Sequence, residues 1–316
     1  MPQSGFARLG HMRQPNAGNH APSRRGWLAT AAGGLLLPRA GAQPRPARLP
    51  GAGVRIGLNV YSFNQPLRDG SMTLFDAVRF CAEHRIAGID ATGYYFPGYP
   101  AKPPEDFVRR LKREAFLHGV AIFGTGVRND FSLPDADARR RELQLVKDWI
   151  EAAAALGASV IRVFSGRGVP QGSSFDQVLE WMAPLMRECA DAGARHGVMV
   201  GVQNHDDFLK TAAQTIRLVE AVNHEWFGVI LDVGSLRQGD PYEEIARLIP
   251  YAVSWQLKEN VAPGGKEEPA DMKRIRALID AHGYRGWLPV ETLGAGDPRE
   301  KLARLLGRVR EAFGPC

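Results

Sequence analysis

From residue 54 onward, short apolar stretches alternate with longer stretches in which apolar residues recur at helical spacing. The short ones are rich in Val, Ile and Phe, as buried strands are, whereas TLFDAVRFCAEHR and ELQLVKDWIEAAAALG are typical of amphipathic helices. The strand-like stretches are VRIGLNVYSF, AGIDATG, VAIFGTG, SVIRVFSG, VMVGVQNH, FGVILDVGS, YAVSWQLKEN and GWLPVETLG. Eight strands, each followed by a helix, predict a single (β/α)8 TIM barrel of the α/β class.

A doubly wound open sheet is the competing fold for such a pattern. That fold normally carries a glycine-rich phosphate loop after its first strand, and NVYSFNQPLRDGS contains none. The barrel is therefore favoured. In a barrel of this kind the functional residues lie at the carboxyl ends of the strands and in the loops that follow them.

The beginning of the chain does not follow this pattern. In SRRGWLATAAGGLLLPRAGA, the paired Arg24 and Arg25 precede an apolar run and then small residues, which is the order of a twin-arginine export signal. The apolar run is too short to span a bilayer. We therefore predict a signal peptide over residues 1–42, a spacer over 43–53 and the barrel over 54–316, with the mature protein periplasmic or secreted. A disordered basic tail is the alternative, and translation could start at Met1 or Met12.

Removing the predicted signal peptide changes the charge of the chain. Residues 1–42 contain five arginines and no acidic residue, so the formal net charge of +6 falls to about +1. A nearly neutral chain offers no basic surface for nucleic acid. The three cysteines, Cys81, Cys189 and Cys316, are scattered and indicate neither a disulfide framework nor a zinc site.

Polar residues collect at the predicted strand ends. Asp232 follows GVIL and Glu291 follows WLPV, and a carboxylate among apolar residues is costly unless it is paired or binds a ligand. Gln203 and Gln256 occupy similar positions on the neighbouring strands. Two carboxylates and two amide oxygens could form an oxygen-rich site for Mg²⁺ or Mn²⁺.

The order of these residues resembles the xylose-isomerase-like TIM barrel superfamily, which includes the sugar phosphate isomerase/epimerase family. Many members hold a metal with Glu, Asp, His and Glu on strands five to eight. The resemblance implies Gln203, Asp232, Gln256 and Glu291 as the corresponding ligands here, with metal binding weakened by the two glutamines. LDVG and PVETLG fit the family pattern, and Lys258 stands where a lysine follows the usual histidine.

The substitution of glutamine for glutamate also bears on the reaction. Glutamine cannot act as a general base, so an epimerase with two symmetric bases is disfavoured. Glu291 is the candidate base, His205 a second proton carrier and Lys258 a stabiliser of an enolate oxygen. These roles favour a sugar isomerase, with a ketosugar dehydratase or lyase as the alternative. The expected substrate-binding residues are Tyr61, Asp90, Tyr95 and Arg162.

Structural explanations exist for the same residues. Asp232 could cap a helix or pair with Lys258, and the glutamines could bridge buried polar groups. A non-catalytic carbohydrate-binding barrel therefore stays open. An endonuclease relative is disfavoured, because its three-zinc site needs several histidines and only His205 lies at a strand end. The predicted partner is a small carbohydrate, with no nucleic acid and, for the mature form, no membrane; the oligomeric state is left open.

Overall fold

The structure is a computed structural model that describes residues 53–205 and 207–314. The predicted signal peptide, residues 1–42, lies outside the described residues. The predicted (β/α)8 barrel is confirmed, with the strands closing in the order β1-β8-β7-β6-β5-β4-β3-β2, all parallel. The barrel strands are β1 (Arg55–Asn59), β2 (Gly88–Asp90), β3 (Ala121–Gly126), β4 (Val160–Val163), β5 (Met199–Gln203), β6 (Phe227–Asp232), β7 (Ala252–Lys258) and β8 (Trp287–Glu291).

Helices surround the barrel and bury their apolar faces against it. Among the described residues they are α1 (Asn64–Asp69), α2 (Leu74–Glu83), α3 (Glu105–Leu117), α4 (Ala136–Leu156), α5 (Phe175–His196), α6 (Ala212–Val222), α7 (Pro241–Leu248), α8 (Met272–Ala281) and α9 (Pro298–Phe313). None of these helices is both long enough and apolar enough to cross a bilayer. A two-stranded ribbon, Asn260–Val261 with Glu268–Pro269, follows β7.

The first strand is shorter than its apolar run. The Asn59 side chain accepts a hydrogen bond from the backbone N–H of Tyr61 and begins a 3₁₀ turn, Val60–Phe63, where the sequence continues to look like a strand. Side-chain capping of this kind offers the backbone an alternative to the sheet ladder. The turn brings Tyr61 to the barrel mouth.

Stacked aromatic rings fill the barrel toward the amino ends of its strands. The rings of Phe123 on β3 and Trp287 on β8 lie 4.3 Å apart and nearly parallel. A Cβ atom at Gly57 would come within 2.5 Å of Phe123, and one at Gly88 within 2.7 Å of Trp287. These two glycines therefore make room for the rings. With this end packed, polar side chains gather at the opposite end, where Asp232 pairs in register with Gln256, and Glu291 with Lys258.

Candidate active site

Three of the four side chains predicted as metal ligands form one hydrogen-bonded cluster. Gln203 Nε2 donates to Asp232 Oδ2 at 2.7 Å and to Gln256 Oε1 at 3.1 Å. All three residues are buried, at 3% exposure or less. An amide nitrogen carries two protons, so this geometry uses both donors of Gln203.

Asp232 is surrounded by four donors. Besides Gln203, its Oδ2 accepts from Ser235 Oγ at 2.8 Å and lies 3.1 Å from Lys258 Nζ, while its Oδ1 accepts from the Gly234 N–H at 3.0 Å. The Gly234 bond begins the 3₁₀ turn Val233–Ser235, as an N-cap does. Each carboxylate oxygen offers about two lone pairs, so the three donors around Oδ2 fill that oxygen.

Asn204 fixes the backbone of this aspartate. Its Nδ2 donates to the Asp232 carbonyl and its Oδ1 accepts from the Asp232 N–H, both at 2.9 Å. The residue is fully buried and joins β5 to β6 beyond the end of the ladder. Asn204 was not among the predicted site residues; its signal in the sequence is a second amide directly after Gln203 at a strand end.

Lys258 brings a positive charge to the two carboxylates. Its Nζ lies 3.1 Å from Asp232 Oδ2 and 3.8 Å from Glu291 Oε2, and its side chain is only 14% exposed. Burial alone would lower the pKa of Lys258, but the attraction of Asp232 and Glu291 outweighs it and raises that pKa above its ordinary value. Lys258 is therefore a permanent cation at the centre of the site.

Glu291 is a buried carboxyl group that titrates near neutrality. Burial raises its pKa to about 7, although Lys258 lowers it in part. Its Oε2 has no hydrogen-bond partner among the described residues. Since a general base works best when its pKa lies near the working pH, Glu291 has the properties of one.

Arg162 forms one wall of the site and lies near two aromatic rings. Its guanidinium carbon lies 4.4 Å from the Phe164 ring centroid and 5.4 Å from that of Tyr94. Its Nη2 donates to the Tyr94 hydroxyl at 2.8 Å and its Nη1 to the Val127 carbonyl at 3.2 Å. These two hydrogen bonds and the ring contacts fix the guanidinium, which makes Arg162 a preorganised positive group.

The remaining predicted substrate-binding residues lie in two different environments. Tyr61 lines the cavity described below, next to Tyr94. Asp90 and Tyr95 do not line it: Asp90 is buried beside Asn59, and burial raises its pKa to about 6 against the opposing effect of Arg162. The Tyr95 hydroxyl donates to Asn64 at 2.9 Å. The aromatic residue of this loop that reaches the cavity beside Arg162 is Tyr94.

His205 lies at the rim and is oriented by a neighbour. Its Nδ1 is 2.9 Å from Asp207 Oδ2, and its ring makes an edge-to-face contact with Phe164. A carboxylate at Nδ1 favours the tautomer with the proton on Nδ1, which leaves Nε2 free to accept or return a proton. The His205–Asp207 pair is about 40% exposed, so it is open to solvent.

These residues surround a cavity at the mouth of the barrel. Its volume is about 870 Å³, and an adjoining cavity of about 400 Å³ shares part of its wall. Both are lined by His205, Asp207, Lys258 and Glu291, while Gln203 and Gln256 line the larger one only. Asp232 is fully buried and lines neither. The larger cavity is of the size that small-molecule sites have.

The donor set does not fit a divalent cation in this arrangement. Asp232 Oδ2 already faces three donors, and Gln203 directs its nitrogen, not its oxygen, into the cluster. Lys258 adds a positive charge within 4 Å of the Asp232 and Glu291 carboxylates, which opposes a second cation there. In the part of the chain that the structure describes, no group of three His, Cys, Asp or Glu side chains is arranged to hold a metal. The expected Mg²⁺ or Mn²⁺ thus gains no support from the geometry.

A closed barrel with its polar groups at the carboxyl ends of the strands is the architecture of many enzymes. The chain belongs to the xylose isomerase-like TIM barrel family, whose model matches residues 75–311. This confirms the resemblance inferred from the strand-end residues. Among curated proteins, none matches the chain in sequence.

Solved structures with the same fold include several sugar epimerases. D-psicose 3-epimerase from Clostridium cellulolyticum H10, with D-tagatose, is 14% identical, with a TM-score of 0.69 over 82% of this chain and 99% of that one. The 3-keto-D-glucoside 4-epimerase of E. coli is 15% identical, with a TM-score of 0.67 over 82% and 99%. The IOLI protein with a bound zinc atom is 14% identical, with a TM-score of 0.67 over 83% and 100%. At such identities the likeness establishes the fold alone.

Proposed function

We propose that the protein is an isomerase or epimerase that acts on a small sugar or ketosugar by moving a proton beside a carbonyl group. The observation that carries this proposal is Glu291, a buried carboxyl group on the cavity wall whose pKa is raised to about 7. Lys258 lies 3.8 Å from it, within reach of the oxygen on which negative charge would develop. A base and a cation side by side are the two groups that enolisation needs.

The steps follow from this placement. Glu291 removes a proton from the carbon next to the carbonyl, and the electron pair moves onto the carbonyl oxygen to give an enediolate. The Lys258 ammonium stabilises that oxygen. Return of a proton to the former carbonyl carbon, while the hydroxyl proton of the adjacent carbon moves to the former carbonyl oxygen, gives the isomer. Return of a proton to the opposite face of the original carbon gives the epimer. His205, oriented by Asp207, is the group that exchanges the second proton with solvent.

The cavity suits a polyhydroxylated substrate. Tyr61 and Tyr94 present aromatic surface, while Asn59, Arg162 and Gln256 present hydrogen-bonding groups on the same cavity wall. Such a mixture of apolar faces and a few fixed polar groups is typical of small-molecule sites. The sugar epimerases that share the fold give the proposal its substrate class.

One observation favours a second reaction at the same site. Gln203 occupies the place of a second carboxylate, and an amide cannot remove a proton. Glu291 would then act as the base on one side only, with His205 protonating a leaving hydroxyl group. The result is β-elimination from a ketosugar, the reaction of a dehydratase or lyase.

Mass spectrometry distinguishes these reactions. The protein is incubated in D₂O with a panel of aldoses, ketoses and ketoglycosides, and each product is weighed. A product that gains deuterium and is otherwise unchanged in mass indicates isomerisation or epimerisation, whereas loss of water or of an aglycone indicates elimination. If the protein binds sugars but neither labels nor converts them, the enzymatic proposal is wrong and the barrel only binds carbohydrate.

We further propose that the protein is exported by the twin-arginine route. The support is the sequence of residues 1–42, where Arg24 and Arg25 precede an apolar run and Ala40-Gly41-Ala42. Fractionation should place a shortened chain, beginning after Ala42, outside the cytoplasm. Replacing both arginines with lysine should leave the full-length chain inside, and an unprocessed cytoplasmic wild-type chain would contradict the proposal.

A further inference from the structure

We propose that Lys258 takes the place of a divalent cation in this site, so that its ammonium group, instead of a metal ion, stabilises the developing oxyanion. The inference rests on the proposed function for its chemistry, but its structural part concerns the four residues expected to bind a metal. Gln203, Asp232 and Gln256 are hydrogen-bonded to one another, and Lys258 lies close to Asp232 and Glu291.

The orientation of the Gln203 amide is the first observation against metal binding. Its nitrogen lies between Asp232 Oδ2 at 2.7 Å and Gln256 Oε1 at 3.1 Å, two acceptors. Turning the amide by half a rotation would place its oxygen against both acceptors and lose two buried hydrogen bonds. Binding a metal through the Gln203 oxygen therefore requires dismantling the cluster, at a cost of about 1–3 kcal/mol for each buried group left unpaired.

The hydrogen-bond donors around Asp232 are the second observation against metal binding. Oδ2 faces Gln203, Ser235 and Lys258, and Oδ1 faces the Gly234 N–H, so the oxygen next to Gln203 has no lone pair left for a cation. The side chain is fully buried and lines neither cavity. In the absence of a metal, a buried carboxylate would need such donors, and the fold supplies them from the two neighbouring strands, β5 and β7, and from the turn after β6. Asp232 is thus an anchor for Lys258 rather than a ligand.

The position of the positive charge on Lys258 is the third observation against metal binding. Lys258 Nζ lies within 4 Å of both carboxylates, so the positive charge that they need nearby is already supplied by the chain. Asp232, Glu291 and Lys258 together carry a net negative charge when Glu291 is ionised and are neutral when it is protonated. The ammonium can donate up to three hydrogen bonds, so it can hold Asp232 and still face a substrate oxygen in the cavity that it lines.

Metal binding by the free protein tests the structural part directly. The full chain, purified without chelator or metal-affinity resin, is analysed for bound metals and titrated calorimetrically with MnCl₂, ZnCl₂ and MgCl₂. We expect far less than one ion per chain and no saturable binding. One ion per chain that binds tightly and is lost in Asp232→Asn would overturn the inference, whether or not a substrate is known.

Replacement of the lysine tests the chemical part. With a sugar that the D₂O panel identifies, Lys258→Ala should lower kcat/KM by roughly 10²- to 10³-fold, the usual effect of removing a donor to a developing oxyanion. Added ethylamine or propylamine should restore part of the rate, and Lys258→Arg should retain more activity than Lys258→Ala. Restoration by Mn²⁺, or wild-type activity that chelation abolishes, would overturn the inference and leave the isomerase proposal standing. A protein that neither binds metal nor converts any sugar would instead refute the isomerase proposal.

Discussion

Replacing Glu291 with glutamine should abolish activity and at the same time stabilise the fold. The amide has nearly the same shape as the carboxyl group but never carries a negative charge. In the wild type that charge is buried, with one oxygen lacking a hydrogen-bond partner among the described residues. The substitution therefore removes both the proposed base and a destabilising charge.

The magnitude follows from the pKa of Glu291, which burial raises from its ordinary 4.5 to about 7. Because the folded state holds the proton more tightly, the stability that the protonated group contributes is complete below about pH 4.5 and is lost as the pH rises through 7. Each pKa unit corresponds to about 1.4 kcal/mol, so the loss is on the order of 3 kcal/mol by pH 8 or above. Glutamine is neutral throughout and avoids it.

The assay is guanidinium unfolding of both proteins at several pH values. The free energy of unfolding of Glu291→Gln should exceed that of the wild type, and the excess should grow by about 2 kcal/mol between about pH 5.5 and 8.5. Glu180→Gln, at an exposed position on α5, is the matched control and should show no such growth. An excess that is constant or shrinks with pH would refute the reasoning about the buried charge.

Three further predictions concern the walls of the cavity. Tyr94→Phe removes the hydroxyl that accepts from Arg162 at 2.8 Å, so thermal or chemical unfolding should show a loss of about 1–3 kcal/mol; unchanged stability would contradict the bond. Gly126→Ala places a Cβ within 2.8 Å of the Arg162 Nε and should raise KM more than it lowers kcat. A variant with lowered kcat and unchanged KM would exclude a substrate-binding role for Arg162. His205→Asn should lower kcat by roughly 10²-fold. It should change the free energy of unfolding by less than about 1 kcal/mol, because the His205–Asp207 pair is about 40% exposed. A variant with the wild-type kcat would remove His205 from the mechanism.

The fold and the position of the site were predictable because both depend on regular periodicity. Strands of a parallel barrel are buried on both faces, so they form apolar runs, and a charge at the end of such a run marks the barrel mouth. Asp232 and Glu291 were predicted as candidate site residues in this way. The structure places them on β6 and β8, with Lys258 reaching both.

The contacts inside the site were not predictable from the sequence. Whether Gln203 offers its oxygen or its nitrogen depends on Asp232 and Gln256, which the chain brings together from 29 and 53 residues away. Lys258 has a long flexible side chain, and its direction is set by Asp232 and Glu291, two carboxylates from other strands. An amide at a ligand position is chemically ambiguous until its neighbours are known.

The loop after β2 shows a second limit. Tyr95 was predicted to bind substrate, but the 3₁₀ turn Gly93–Tyr95 directs its hydroxyl to Asn64, while Tyr94 lines the cavity and holds Arg162. A turn of this kind has no repeating period from which to assign side-chain direction. Adjacent tyrosines in the sequence could not be told apart.

The most direct test of the central claim is the site of deuterium labelling by the wild type and by Glu291→Gln. For a sugar that the protein converts, NMR of the product formed in D₂O locates the label. We predict deuterium at the carbon next to the carbonyl, with labelling and turnover both lost in Glu291→Gln although that variant is folded. A product formed without label at that carbon, or labelled at the wild-type rate by Glu291→Gln, would contradict the role of Glu291 as the base.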